Sequence, residues 1–214
     1  MVPNPERCMR AIFLKGRKNA IHGIFITGLF LFLSTSHASD LVQKVQQNYQ
    51  KVQQFRAQFV QKTRVELLDR DIEEKGDLIL AKPGRFIIHY QGDRERKYIS
   101  NGKKLWIVYP HEKEVQVFDN LEDVVAREAL IFLDGLGNMT QSFEVKEQKN
   151  HQLLLTPRNV KTPFKKLVLT ISPDSSWVQE VILYPKSGNQ THYWFSHRQT
   201  SDTLENVDSL FKAP

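Results

Sequence analysis

The feature that most constrains this chain is a two-residue alternation of apolar and polar side chains, recurring in short stretches from Phe55 onward. A period of two is that of a β-strand, whose successive side chains point to opposite faces. Phe55, Ala57, Phe59, Thr63, Val65 and Leu67 take one face, and Arg56, Gln58, Lys62, Arg64 and Glu66 the other. Such a strand has one dry and one wet side. Leu78, Leu80 and Lys82 share a side as far as Pro83-Gly84, and Phe86, Ile88 and Tyr90 do so as far as Gly92-Asp93. Tyr98 to Tyr109 reads as a hairpin about Asn101-Gly102, with Val115 and Val117 next. Strands resume at Phe143 and continue through Leu153–Thr156, Phe164–Ile171, Trp177–Tyr184 and Thr191–His197. Lys149-Asn150, Pro173-Asp174 and Ser187-Gly188-Asn189 mark the turns between them. The spacing predicts about eleven strands.

Two stretches switch to helical spacing. Asp40 followed by Gln43 resembles a capping box, and Leu41, Val45, Tyr49 and Val52 then fall on one stripe. Asn120 is the N-cap predicted for a second helix over Leu121–Asp134, with Val124, Val125, Ala129, Phe132 and Leu133 recurring before a stop at Gly135. Connections this short join neighbouring strands, so the expected fold is mainly β: one antiparallel meander curled into an unclosed barrel. The two amphipathic helices each need an apolar surface, and the open side of the curl offers one, as a helical lid.

Residues 1–38 read as a cleaved export signal, which leaves 39–214 as a single domain. Lys15, Arg17 and Lys18 supply a positive start, Ile21 to Leu33 a mostly apolar run, and Ser36-His37-Ala38 a small-residue cleavage site. That run is short for a bilayer-spanning helix, which needs about 20 apolar residues; an uncleaved anchor is the alternative reading. Five cations against one acid lie in residues 1–38, so the net charge of +6 falls to +2 without them. The basicity therefore belongs to the leader and is no argument for nucleic-acid binding. Cys8, the only cysteine, goes with it, which leaves the domain neither disulfide nor thiolate and no lipid-accepting residue of its own.

Catalytic constellations are missing. There is no G-x-S-x-G, no Cys–His pair and no phosphate-binding glycine loop, and Gly135-Leu136-Gly137 falls where a helix ends. His89, His111, His151, His192 and His197 lie apart without metal-ligand spacing. Asp69, Asp71, Glu73 and Glu74 fall at a polar hairpin tip, the usual place for solvated charges. Neither enzyme, metal nor cofactor is predicted.

What stands out is a surplus of large apolar side chains on the inward faces. Periodicity does not separate a filled core from a cavity, and Phe55, Phe59, Phe86 and Trp106 fit either. Lys82 continues the inward series of Leu78 and Leu80, placing a cation at the rim with its stem on apolar wall; a snorkelling surface lysine gives the same pattern.

Along nearly its whole length after residue 38, the chain resembles the outer-membrane lipoprotein carrier protein family (LolA). The resemblance is carried by Phe55-Arg56-Ala57-Gln58-Phe59-Val60-Gln61-Lys62, Gly76-Asp77-Leu78 and Lys82-Pro83-Gly84-Arg85-Phe86, then Gly102-Lys103-Lys104-Leu105-Trp106 and Leu153-Leu154-Leu155-Thr156-Pro157. It implies a periplasmic chaperone working as a monomer. Such a chaperone takes lipid-modified proteins from an inner-membrane ABC lipoprotein-releasing transporter, shelters their acyl chains and passes them to an outer-membrane acceptor lipoprotein. The implied acyl-chain cavity is lined by Phe55, Ala57, Phe59, Leu78, Leu80, Phe86, Ile88, Tyr90 and Trp106, with Val125, Ala129 and Phe132 from the lid. Lys82 stands where the family usually has an arginine that latches the lid, and lysine lacks that residue's planar five-donor fork. Phe86 stands at an aromatic position implicated in meeting the transporter. Ile88 replaces a common aromatic, and the chain stops early at Leu210-Phe211-Lys212-Ala213-Pro214. A periplasmic lipid-binding sensor or regulatory module is the alternative function for the same curled sheet.

Overall fold

The computed structural model describes residues 39–119, 135–186, 188–203 and 209–214. The predicted second helix over Leu121–Asp134, with Val125, Ala129 and Phe132, lies outside the described residues, as do residues 1–38.

Chain order begins with α1 (Asp40–Lys51), then β1 (Gln54–Val65), β2 (Arg70–Ala81), β3 (Arg85–Gln91), β4 (Arg96–Asn101), β5 (Leu105–Tyr109) and β6 (Glu114–Phe118). After one short helix, α2 (Met139–Ser142), come β7 (Phe143–Gln148), β8 (Gln152–Pro157), β9 (Phe164–Ile171), β10 (Val178–Pro185) and β11 (Thr191–Ser201). All eleven strands form one antiparallel sheet in the order β6-β5-β4-β3-β2-β1-β11-β10-β9-β8-β7. Each half is a plain meander, as the short turns require. The one distant pairing, β1 with β11, joins the halves: Phe59 faces Phe195 and Gln61 faces Tyr193. Among the described residues no strand pairs with the outer edge of β6 or β7, so the sheet is an unclosed barrel.

α1 is capped by Ser39, whose hydroxyl accepts from the Val42 amide at 3.4 Å. Asp40, the predicted cap, instead sits in the first turn and pairs with Lys44 at 2.6 Å. An acid there complements the helix dipole. The helix buries Val42, Val45 and Tyr49: Val45 and Tyr49 are as predicted, Val42 takes the place expected of Leu41, which is only partly buried, and Val52 is buried just past the helix as its C-cap. Leu136 and Gly137 are helical and the backbone turns at Asn138, so the predicted glycine stop falls one turn late. Gln50 Nε2 donates to the Gly137 carbonyl at 2.7 Å, tying α1 to this segment.

The inward faces carry two apolar clusters. One lies beneath α1 and is built from Val42, Val45 and Tyr49 with the inward residues of β7–β10. The other lies on β1–β5 and holds Phe55, Ala57, Phe59, Leu78, Leu80 and Phe86 among others. Half-buried Trp177, Tyr193 and Phe195 pack against both, so the two form one continuous apolar face. Tyr49 anchors the junction, its ring 4.9 Å from that of Trp177. Complete burial pushes its phenol well above the ordinary value, against smaller opposing effects of the Val178 backbone and Arg198.

Candidate functional site

The concave surface of β1–β5 assembles itself from strand parity. Paired residues share a face, so one row runs Phe55, Leu80, Phe86, Ser100, Leu105 and Phe118. The next runs Ala57, Leu78, Ile88, Tyr98 and Ile107, and a third Phe59, Gly76, Tyr90 and Arg96. Gly76 leaves space for its neighbour's ring: a Cβ there would overlap the His89 carbonyl and stand 2.8 Å from the Phe59 ring. The Phe59 ring in turn meets Tyr90 edge-on at 5.2 Å. Phe55, Ala57, Phe59, Leu78, Leu80, Ile88, Tyr90 and Phe86 are thus brought together in one cluster.

Trp106 is a correction. The β4–β5 loop has two central residues, Gly102 and Lys103, and Ser100 pairs with Leu105. A two-residue loop hands the inward face from even residues on β4 to odd residues on β5. Leu105 and Ile107 therefore point in, and Trp106 pairs with Ile99 and Val117 on the other face. It is still only 8% exposed there. Leu67, also expected on the inward face, lies in a short 3₁₀ turn and is 94% exposed. Phe86 is 1% exposed, so in this conformation its side chain is packed into the cluster.

Parity also reveals inward residues that the sequence reading missed. Tyr98, Tyr109, Phe118, Trp177, Tyr193 and Phe195 are half-buried against the β1–β5 cluster. Glu74 was grouped with the solvated tip, yet it has the same parity as Leu78 and Leu80. Its side chain is 13% exposed and Arg96 clamps it, Nη1 to Oε1 at 2.7 Å and Nη2 to Oε2 at 3.2 Å. The other tip acids behave as expected: Asp69 and Asp71 make exposed ion pairs with Arg64 and Lys62.

Hydrogen bonds from Arg96 and its charge hold the Glu74 carboxyl below its ordinary value of 4.5, against some opposing desolvation. A depressed carboxylate stabilises the fold above its unfolded pKa and loses that contribution as pH falls through the folded one. Denaturant unfolding on either side of pH 4.5 should therefore show wild type losing more stability on acidification than Glu74→Gln; equal losses would contradict the pairing.

Lys82 sits at the opposite end of the same face, in a turn held from several sides. Its amide donates to the Gln53 carbonyl at 2.9 Å and Arg85 Nη2 donates to its carbonyl at 2.8 Å. Ser100 Oγ donates to the Gly84 carbonyl at 3.1 Å. From this base the ammonium donates to the carbonyls of Tyr49 at 2.6 Å and Gln50 at 3.2 Å. These are among the last carbonyls of α1, which lack partners within the helix and carry its negative dipole end. Two acceptors on one helix end suit a point cation, so the shape of the lysine is no handicap here.

Against known proteins, the family model for the outer membrane lipoprotein carrier protein LolA matches residues 50–213. The chain belongs to the LolA family. Among curated LolA-family relatives, the outer-membrane lipoprotein carrier protein of Pseudomonas paraeruginosa is 26% identical over 91% of this chain and 95% of its own. That of Francisella tularensis subsp. tularensis is 24% identical over 89% and 93%. A LolA superfamily protein from Nitrosomonas europaea superposes with a TM-score of 0.46 at 12% identity, covering 81% of this chain and 97% of that one. Membership places the chain among carriers rather than enzymes. No helix among the described residues is long and apolar enough to cross a membrane.

Proposed function

We propose that this chain is a periplasmic chaperone that accepts lipoproteins released from the inner membrane by an ABC transporter, shields their acyl chains and delivers them to an outer-membrane acceptor. Residues 1–38 serve as its export signal, and it works as a monomer. The observation that carries this reading is the apolar concave face of β1–β5. Its Ile88, Tyr98, Tyr109 and Phe118 are packed yet only half-buried, which is apolar surface a hydrocarbon chain can cover. The family model and the relatives' names point the same way.

Magnitudes restrict how such a carrier works. A triacylated cargo has on the order of 40 methylenes at about 0.8 kcal/mol each, or about 30 kcal/mol if all were buried. Reversible affinity ends near 18–21 kcal/mol. Incomplete burial is therefore required for release. A cover that competes with the acyl chain for the same apolar face would tune the affinity to a releasable value.

Mass spectrometry of material co-purifying with the exported protein tests the reading. Diacylated or triacylated proteins are expected. Free lipid without protein would turn the assignment to a sensor, and chemical turnover of the lipid to an enzyme.

A further inference from the structure

The concave face is not uniform along its strands. At the Lys82 end, the rows through Phe55 and Ala57 are apolar, Ser100 apart. Polar atoms take over at the row of Phe59, Gly76, Tyr90 and Arg96, and the next row pairs Gln61 with Glu74. With a strand rise of about 3.3 Å per residue, this change begins about 13 Å from the Phe55 row.

The groups at the change are bound to one another. Arg96 on β4 reaches over β3 to Glu74 on β2 in a two-pronged pair. Its guanidinium lies 3.8 Å from the centre of the Tyr90 ring, and Arg96 Nε donates to Tyr98 Oη at 3.3 Å. Tyr90 Oη donates to Gln61 Oε1 at 2.7 Å. Arg96 and Glu74 are 19% and 13% exposed at their side chains, so neither is a free surface charge. A bidentate, ring-stacked guanidinium does not swing aside as a lysine would. Hydrocarbon pushed against it gains nothing from water release and strips solvation from charges it cannot bond.

We infer that the Arg96–Glu74 pair is a molecular stop at the far end of the apolar face, and that it sets the acyl-chain length this protein accepts. The inference rests on the carrier reading and assigns the residues that limit acyl-chain length on that face.

Binding of a homologous series of saturated fluorescent fatty acids to the purified full-length domain tests it. Affinity for wild type should rise about fourfold per methylene, the ratio equivalent to about 0.8 kcal/mol, and then level off at one chain length. In Arg96→Leu/Glu74→Leu the levelling should move to longer chains, with at least a tenfold gain for the longest probe. Replacing both partners by apolar groups leaves no orphan charge, so the fold is expected to survive; Arg96→Met/Glu74→Gln is the second variant should it not. The charge swap Arg96→Glu/Glu74→Arg should level off where wild type does. If wild type binds with no break, or breaks at the same length as a folded double variant, the stop is overturned while the carrier reading stands. If wild type binds no probe of any length, the carrier reading itself falls.

Discussion

Phe86→Glu is expected to abolish cooperative folding, and Phe86→Ala to lower the thermal midpoint by roughly 6–20 °C. Phe86 is 1% exposed in the row between Leu80 and Ser100. Truncating a buried phenylalanine costs about 3–5 kcal/mol, from lost transfer energy and the cavity left behind. At about 2–4 °C per kcal/mol for a domain of this size, that yields the range given. Glutamate adds the cost of an unpaired charge in the same place, and total stabilities of about 5–15 kcal/mol leave little in reserve. Circular dichroism melts decide the matter. A Phe86→Glu protein that melts like wild type but fails only to exchange cargo would return this residue to the surface role that the family resemblance suggested.

Lys82→Met should destabilise the domain by about 1.5–3 kcal/mol, concentrated in the last turn of α1. The substitution keeps an unbranched apolar stem and deletes the ammonium that bonds the Tyr49 and Gln50 carbonyls. Charge-assisted hydrogen bonds contribute about 1.5–3 kcal/mol. The helix-dipole attraction adds about 0.3–1 kcal/mol, and partial solvent exposure takes some of the sum away. Native-state hydrogen exchange should show the loss at the amides of Asn48 to Val52 before it shows elsewhere. Lys82→Arg keeps the cation and offers more donors, so protection there should equal or exceed wild type. Equal protection in Lys82→Met and wild type would mean that the latch holds nothing.

Much of this was legible before any fold was known. The alternation in Phe55–Val65 named the dry face of β1 apart from buried Gln61, and the same reading worked for Phe86, Ile88 and Tyr90, because pleating leaves a strand no third choice. The turn signals counted the strands. Legibility failed where a face depended on a turn's geometry. Trp106 was expected inward, although a two-residue loop turns it out whether its tip is Asn101-Gly102, as the sequence suggests, or Gly102-Lys103, as observed one residue later. Glu74 was read with its acidic neighbours, although its alternation with Leu78 and Leu80 already placed it inside; charge clustering outweighed parity in the reading but not in the molecule.

Local pattern thus determined which segments are strands, where α1 runs and which side chains of most strands share a face, since these depend on neighbours two to four residues away. Three matters belonged to tertiary structure alone: the pairing of β1 with β11, the meeting of Lys82 with a helix end more than thirty residues earlier, and the clamp of Arg96 on Glu74 across an intervening strand. Each is a contact between groups far apart in the chain. Their partners are chosen by how the whole sheet curls, and no short window of residues contains that information.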